Sequence, residues 1–479
     1  MSLKDKVING LLWSFAEKFA ARLINFISGI LLARLLVPRD FGLIGMLMIF
    51  IELANTLVRS GLNQALIRKT DCRDVDYSTL FIFNLIASAG IYGLLFLAAG
   101  LIAKFYNEPQ LELLIRVLAL GIFINAFTII QRTLLVKRLD FKLLTQISIL
   151  SSLIAGTGSI VMAYYGHGVW SLVYKYLLQY FIAFVLIWYW NKWWPRLTFS
   201  ISSFKQQFRF GGYLTVFEIL SVLDRQIYQV VIGKFYPAAQ LGQYTKAYQF
   251  KQLPSESVGN IIESVSYPAL SSIAKDKNRL GLTFNRLIRS TMLVSIVLMV
   301  AMAAVARELT VVLMGTNWII AGEYLQLLCF SALFIPLNKL NLAMLKVAGR
   351  SDLILRIGLY TKLLLIPVLY IAVYWGIREM IYGMMVYELV LYGTSAYYSG
   401  LYSGHGLSRQ LKYMVPSLLV AVPLFTLTAL AGRLLDWSYL LTLVLKVVLG
   451  AAIVIGILEG SKLDDYLYLK KIAKEKWKG

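Results

Sequence analysis

The segment "LLARLLVPRDFGLIGM" (Leu31–Met46) recurs in outline two hundred residues later as "VIGKFYPAAQLGQYTK" (Val231–Lys246), with Gly42 aligned to Gly242. Two further pairs of segments recur in the same order: "QALIRK" (64–69) with "PALSSI" (268–273), and "LLVKRLDF" (134–141) with "KVAGRSDL" (346–353). Each match is short, but their shared order indicates two related halves. We therefore expect a fold with internal pseudo-symmetry.

The composition identifies the broad class of the protein. Of the 479 residues, 59% are hydrophobic and 15% are charged, and the mean hydropathy is +0.69. Soluble domains carry about 25% charged residues. The sequence therefore predicts an all-α polytopic membrane protein, because a helix satisfies its own backbone hydrogen bonds in lipid. The first span lacks a short apolar core followed by a cleavage site, so we expect it to be retained.

Fourteen transmembrane helices are predicted with a window of about 20 residues, the length that crosses a bilayer. They cover approximately 10–33, 41–60, 78–103, 112–133, 143–164, 168–190, 212–234, 246–272, 287–306, 319–345, 353–375, 380–402, 413–432 and 437–458. With the repeat, they predict two six-helix bundles, 1–200 and 201–410, around a central cavity. Two additional helices (411–460) and a basic cytoplasmic tail (461–479) follow.

The distribution of positive charge predicts the orientation. Most of the 47 Lys and Arg residues fall in alternate connections or in the C-terminal tail. Because retained positive charge marks the cytoplasmic side, we expect both termini in the cytoplasm. The net charge of +22 then reflects topology rather than a nucleic-acid partner. The tail is expected to rest on anionic lipid headgroups.

Motifs for enzymatic or metal chemistry are missing from the sequence. Cys72 and Cys329 stand alone and far apart, which provides neither a disulfide framework nor a metal-binding spacing. His167 and His405 are predicted on opposite membrane faces. The chain has no Walker-type loop and no nucleophile elbow. We therefore predict a protein that is not an enzyme and has no cofactor and no metal site.

Polar stripes interrupt several predicted spans. In "WSFAEKFAARLINF" (13–26), Lys18, Arg22 and Asn25 recur at i, i+4 and i+7, which places them on one helix face. A charge at a helix centre costs about 2.5–3.5 kcal/mol on insertion scales, so such residues normally face a bundle interior or an aqueous path. The same kind of stripe is formed in the second span by Glu52, Asn55 and Arg59. In the seventh span it is formed by Glu218, Arg225 and Gln229, with Asp224 beside them.

Several loop and helix motifs resemble one known family. They include "ARLLVPRDFGLIGM" (33–46), "GLNQALIRK" (61–69), "LDFKLLTQISI" (139–149), "VSYPALSSIAKDKNRL" (265–280) and "LLCFSALFIPLNKLNLAMLKVAGRSDLILR" (327–356). The chain resembles, up to about residue 410, the Wzx-type flippases of the multidrug/oligosaccharidyl-lipid/polysaccharide (MOP) exporter superfamily. The resemblance implies a protein of the bacterial inner membrane. Its expected function is transport of a polyprenyl-diphosphate-linked oligosaccharide, an O-antigen, capsule or exopolysaccharide unit, from the cytoplasmic to the outer leaflet by alternating access. Membrane lipids and a polysaccharide polymerase are the other implied partners.

A diphosphate needs cationic and amide donors, and the polar stripes offer them. The predicted substrate-binding residues are Lys18, Arg22, Asn25, Asn55, Arg59, Arg225, Gln229 and Lys251, and the candidates for ion coupling are Glu17, Glu52, Glu218 and Asp224. Structural alternatives exist: Glu17 can pair with Lys18 or Arg22, and Arg59 can extend to the membrane interface. Lys175, Lys362 and Lys446 are predicted within spans without a stripe partner, as packing residues or as ligands.

Two other functions remain open from the sequence. A cation-coupled exporter of small drugs from the same superfamily is expected to have an acidic cavity rather than basic stripes. A membrane polysaccharide polymerase or ligase typically has a long outer loop with catalytic basic residues, whereas the predicted outer connections here are short.

Overall fold

A computed structural model describes the backbone of residues 3–59, 61–69, 71–434, 437–461, 463, 465–467 and 470. Within helices, the side chains of residues 3–12, 14–18, 210 and 433 lie outside this description. Regular structure in the described residues is helical throughout, without a strand. This confirms the predicted all-α class.

The chain divides into two compact units, Met1–Gly242 and Gln243–Gly479. The first contains α1 (Leu3–Leu35), α2 (Pro38–Arg59), α3 (Leu62–Arg68), α4 (Asp74–Tyr106), α5 (Gln110–Leu118), α6 (Leu120–Lys137), α7 (Phe141–Tyr164), α8 (Trp170–Asn191), α9 (Ile201–Phe235) and the start of α10 (Ala238–Ser272). The second contains the rest of α10, α11 (Lys277–Met314), α12 (Ile319–Ala332), α13 (Ile335–Val347), α14 (Ser351–Leu363), α15 (Leu365–Tyr374), α16 (Ile377–Ser403), α17 (Leu407–Leu434) and α18 (Tyr439–Ser461). The predicted six-span halves, 1–200 and 201–410, stay a prediction.

Ten helical segments in the described residues are long and apolar enough to cross a membrane. They are Pro38–Arg68, Asp74–Tyr106, Gln110–Lys137, Phe141–Tyr164, Trp170–Asn191, Lys277–Met314, Thr316–Val347, Ser351–Tyr374, Leu407–Gly432 and Tyr439–Ser461. Four other helices, α1, α9, α10 and α16, also have spanning length. They coincide with the predicted first, seventh, eighth and twelfth spans, which carry more polar residues. The count of fourteen spans stays a prediction.

Short polar side chains begin several helices. The Asp140 carboxylate accepts from the backbone N–H of Leu143 at 3.1 Å at the start of α7. Asp276 accepts from the N–H of Arg279 at 3.0 Å at the start of α11. Each side chain satisfies a backbone donor that the first helical turn leaves without an intrahelical partner. These caps separate consecutive helices at the short connections.

Each unit has its own apolar core. In the first unit, α1 packs against α7, α8 packs between α6 and α7, and α2 packs along α9. One core cluster of this unit includes Leu62, Leu66, Leu80, Phe81 and Ile130. In the second unit, α11 packs against α12, α17 and α18. Its core includes Phe284, Ile288, Met292, Leu337 and Met344.

A buried carboxylate joins α3, α4 and α9. Asp76 is 2% exposed, and its Oδ2 accepts from Lys69 Nζ and from the backbone N–H of Arg73, both at 2.9 Å. Its Oδ1 accepts from Ser203 Oγ at 2.5 Å. Both carboxylate oxygens therefore have partners, which is the condition under which a buried charge is tolerated.

The repeated glycines of the sequence meet where α2 and α10 begin. A Cβ added at Gly42 would lie 1.7 Å from the carbonyl oxygen of Ala238, and one added at Gly242 would lie 1.8 Å from that of Pro38. Such distances are far below van der Waals contact, so only glycine allows this backbone approach. The two glycines are also aligned with each other in the recurring segments of the sequence, Leu31–Met46 and Val231–Lys246. The two related halves stay a prediction.

Candidate functional site

The first predicted stripe lies on α1. Arg22 is exposed and Asn25 is half-buried, and the Asn25 amide donates to Ser152 Oγ of α7 at 3.5 Å. The helix continues through Glu17 and Lys18, but their side chains lie outside the described residues. The described part of the stripe therefore consists of Arg22 at the surface and Asn25 at the contact with α7.

Polar groups from α7 and α8 extend this stripe. Lys175 Nζ donates to Ser28 Oγ at 2.6 Å, and the Ser28 hydroxyl donates to the carbonyl oxygen of Asn25 at 3.1 Å. The Gln179 amide donates to Ser152 Oγ at 3.3 Å. We call Asn25, Ser28, Ser152, Lys175 and Gln179 the α1–α8 polar cluster. The sequence does not indicate this cluster as a unit, although Ser28 follows Asn25 at i+3 on the same face.

The second stripe lies on α2 and is partly used for packing. The Asn55 amide donates to Tyr176 OH at 3.1 Å, and the Asn125 amide donates to Asn55 Oδ1 at 2.9 Å. These bonds join α2 to α8 and α6. Glu52 is half-buried, and Arg59 is exposed at the end of the helix. The contacts of Asn55 favour a role in positioning α2, whereas Arg59 is accessible.

The third stripe lies on α9. Glu218 and Arg225 are exposed, Asp224 is half-buried, and Gln229 is 9% exposed. Because α9 packs along α2, the second and third stripes belong to neighbouring helices, whereas α1 packs against α7. The first unit thus carries all three predicted stripes.

Lys251 lies in the second unit and is 5% exposed. Its Nζ stands 4.4 Å from the centroid of the Tyr248 ring, a distance suited to a cation–π contact. Nearby, Glu388 Oε2 accepts from the Asn338 amide at 3.1 Å, and Asn338 Oδ1 accepts from Ser395 Oγ at 3.2 Å. Among the described residues, Lys251 forms no ion pair with a carboxylate.

Lys446, one of the lysines predicted without a stripe partner, does have a carboxylate. Lys446 of α18 and Glu308 of α11 are 8% and 7% exposed, and Lys446 Nζ donates to Glu308 Oε1 at 2.7 Å and to the carbonyl oxygen of Ala304 at 3.2 Å. The sequence interval between them gave no indication of this pair. Its contacts are those of a packing residue.

One histidine outside the spans has a shifted pKa. His405 lies between α16 and α17, and its Nδ1 is hydrogen-bonded to Tyr413 OH at 2.9 Å. Partial burial lowers the pKa of His405 below its usual 6.5, and the Arg409 guanidinium lowers it further. Within the described part of the chain, no group of three or more His, Cys, Asp or Glu side chains is placed to hold a metal ion.

Comparison with known proteins places the chain in a family. The model of the family described as "Polysaccharide biosynthesis protein" matches residues 31–323. The lipopolysaccharide biosynthesis protein WzxC of Escherichia coli (strain K12) is 25% identical over 374 residues, which are 78% of this chain and 76% of WzxC. The teichuronic acid biosynthesis protein TuaB of Bacillus subtilis (strain 168) is 24% identical over 354 residues, 74% of this chain and 73% of TuaB.

Solved structures show a shared fold. The lipid II flippase MurJ in an inward closed conformation superposes with a TM-score of 0.73 at 12% identity, covering 95% of this chain and 100% of MurJ. An inward-facing multidrug resistance MATE family transporter of the MOP superfamily superposes with a TM-score of 0.62 at 17% identity, covering 82% of this chain and 100% of the transporter. The resemblance noted in the sequence is thus confirmed, and the chain belongs to the polysaccharide biosynthesis protein family, with the fold of the MOP superfamily transporters.

Proposed function

We propose that the protein is a flippase that moves a polyprenyl-diphosphate-linked oligosaccharide from the cytoplasmic to the outer leaflet of a bacterial inner membrane. Family membership, the names of WzxC and TuaB, and the fold shared with a lipid II flippase support this proposal. The observation that carries it is the polar face of α1, where Arg22 and Asn25 lie within a helix of membrane-spanning length.

The charge of the headgroup explains why such a face is needed. A diphosphate that leaves water for hydrocarbon loses its hydration at a cost far above thermal energy. Guanidinium groups replace that hydration, because their planar fork matches two phosphate oxygens. Arg22, Arg59 and Arg225 are exposed and are the candidates for this contact in the first unit. Lys18 is proposed with them, and Lys251 is the candidate in the second unit.

The direction of transport follows from the membrane potential. With the cell interior negative, each negative charge that moves outward gains up to about 2.3 kcal/mol per 100 mV. Cations that move with the headgroup reduce this gain. We propose Glu17, Glu52, Glu218 and Asp224 as the carboxylates that couple an ion to the movement, and both termini as cytoplasmic. The movement itself would be an alternating exposure of the substrate path to the two leaflets.

Drug export is the second candidate, because a MATE family transporter shares the fold. A pathway for cationic drugs requires uncompensated carboxylates. In the described part of the first unit, the α1–α8 polar cluster has one ammonium and no carboxylate. This charge pattern favours an anionic substrate.

The test combines genetics with lipid analysis. Deletion of the gene in its own host should lead to accumulation of a lipid-linked glycan, identified by mass spectrometry. Complementation with Arg22→Ala should fail although the variant inserts at normal levels, and Arg22→Lys should restore export only in part. Arg279→Ala, an exposed arginine at the start of α11, is the matched control. Increased drug sensitivity without any accumulated glycan lipid would replace the proposed function with drug export.

The role of Arg22 has a structural alternative, which is neutralisation of Glu17. In that case the double variant Glu17→Gln with Arg22→Gln should recover both abundance and export. A double variant that is abundant and inactive supports phosphate binding by Arg22.

A further inference from the structure

Lys175 is a partly buried ammonium whose contacts leave most of its hydrogen-bonding capacity unused. An ammonium has three N–H donors. In the described residues, Lys175 Nζ has one oxygen partner, Ser28 Oγ at 2.6 Å, and no carboxylate. The Ser28 hydroxyl cannot supply a counter-charge, because it is neutral and already donates to the carbonyl oxygen of Asn25.

The same chain shows how a buried lysine is neutralised when its role is packing. Lys446 has Glu308 Oε1 at 2.7 Å and the carbonyl oxygen of Ala304 at 3.2 Å. A charge within a membrane span is costly unless a partner compensates it. Lys175 is held between α1 and α8 and has no carboxylate partner among the described residues. An anionic ligand that binds from outside the protein would compensate its charge.

The surroundings of Lys175 suit phosphate oxygens and sugar hydroxyls. The Gln179 amide, one turn further along α8, uses one of its two N–H donors on Ser152 Oγ. The donors of Asn25 and Ser28 are already used within the protein. Ser28 follows Arg22 by six residues, which corresponds to about 9 Å along a helix with a rise of 1.5 Å per residue. A hydrogen bond spans about 3 Å, so one phosphate cannot contact both levels of α1 in the same way.

We propose that Lys175, with Gln179, forms a second anion subsite, which receives the diphosphate of the lipid-linked glycan after Arg22. The proposal rests on the proposed function and adds an order of contacts to it. In the predicted orientation α1 runs outward, so the subsite lies closer to the outer leaflet than Arg22. The headgroup then moves along α1 between two cationic levels rather than through uncharged surroundings.

The test uses purified protein in lipid nanodiscs, with undecaprenyl diphosphate as the probe. Lys175→Gln should lower its affinity about tenfold, Lys175→Arg should retain most of it, and Lys142→Gln, an exposed lysine at the start of α7, should leave it unchanged. Undecaprenol, which has no phosphate, should bind all variants equally. Equal affinity of wild type and Lys175→Gln for the diphosphate would overturn the subsite, whereas a wild type that fails to bind the probe would refute the proposed function.

A second measurement works with the unaltered protein and does not depend on the folding of a variant. An amine-reactive reagent should modify Lys175 more slowly when undecaprenyl diphosphate is bound, while Lys142 reacts at the same rate. Peptide mass spectrometry measures both rates. Equal modification of Lys175 with and without the lipid would show that this lysine only holds α8 to α1.

Discussion

The ion pair between Lys446 and Glu308 should be essential for the stability of the second unit. Lys446→Met removes the contact at 2.7 Å with Glu308 Oε1, and Glu308 Oε2 has no hydrogen-bond partner in the described structure. The variant therefore leaves a buried carboxylate with neither oxygen bonded. Loss of one partner of a buried ion pair costs about 3–5 kcal/mol.

Thermal unfolding gives a direct measure of this cost. A loss of 1 kcal/mol lowers the Tm of a unit of this size by about 2–4 °C, so Lys446→Met should lower it by roughly 6–20 °C. Tryptophan fluorescence of the purified protein in detergent reports the transition. Lys412→Met, at an exposed lysine near the start of α17, is the matched control and should change the stability by about 0.5 kcal/mol or less.

A double variant separates the pair from its individual charges. Lys446→Met with Glu308→Gln removes both charges, and replacement of a buried ion pair by uncharged groups is often nearly neutral. We therefore expect the double variant to be more stable than Lys446→Met alone, and to export glycan normally. Unfolding of Lys446→Met at the wild-type temperature, or additive destabilisation by the two substitutions, would contradict the stabilising role of this ion pair.

Three further predictions follow from the first unit and the connections. Asp76→Asn should reduce the free energy of unfolding by about 3 kcal/mol, because a buried charged hydrogen-bond network is broken. The matched control Asp74→Asn, at a more exposed aspartate, should have little effect. Size-exclusion chromatography of membrane extracts measures the folded fraction. The predicted cytoplasmic location of both termini can be tested in intact cells, in a protein without native cysteines. A membrane-impermeant thiol reagent should label Gly166→Cys and leave Lys142→Cys unlabelled. The reverse pattern would contradict this orientation. Because the pKa of His405 is lowered on folding, the unfolded state binds more protons, so stability should decrease as the pH falls below about 6.5. His405→Gln should make this decrease smaller. A variant with the wild-type pH profile of Tm would exclude this role of His405.

Helix positions are predictable from this sequence because the bilayer imposes one length and one composition on each apolar span. Ten segments with these properties occur where hydropathy predicts them. The other four helices of spanning length, α1, α9, α10 and α16, are harder to identify as spans, since they carry more polar residues. Periodicity still identifies the stripes, because residues at i, i+4 and i+7 share a face whatever the helix packs against.

Partners between helices were not predictable. Lys175 and Ser28 are 147 residues apart, and Lys446 and Glu308 are 138 residues apart. No local sequence pattern distinguishes Lys446, which has a carboxylate partner, from Lys175, which has none among the described residues. The difference depends on which helices become neighbours, and this information is spread over all the apolar faces of a unit.

The close approach of Gly42 and Gly242 has a consequence for how the gene can vary. The two positions form one contact, so a methyl group at either glycine forces apart the same two backbones. Once they are separated, a second methyl group adds little, and the two substitutions should be strongly non-additive. A gene that has lost one of these glycines therefore gains little by keeping the other, and we expect the two codons to vary together rather than independently.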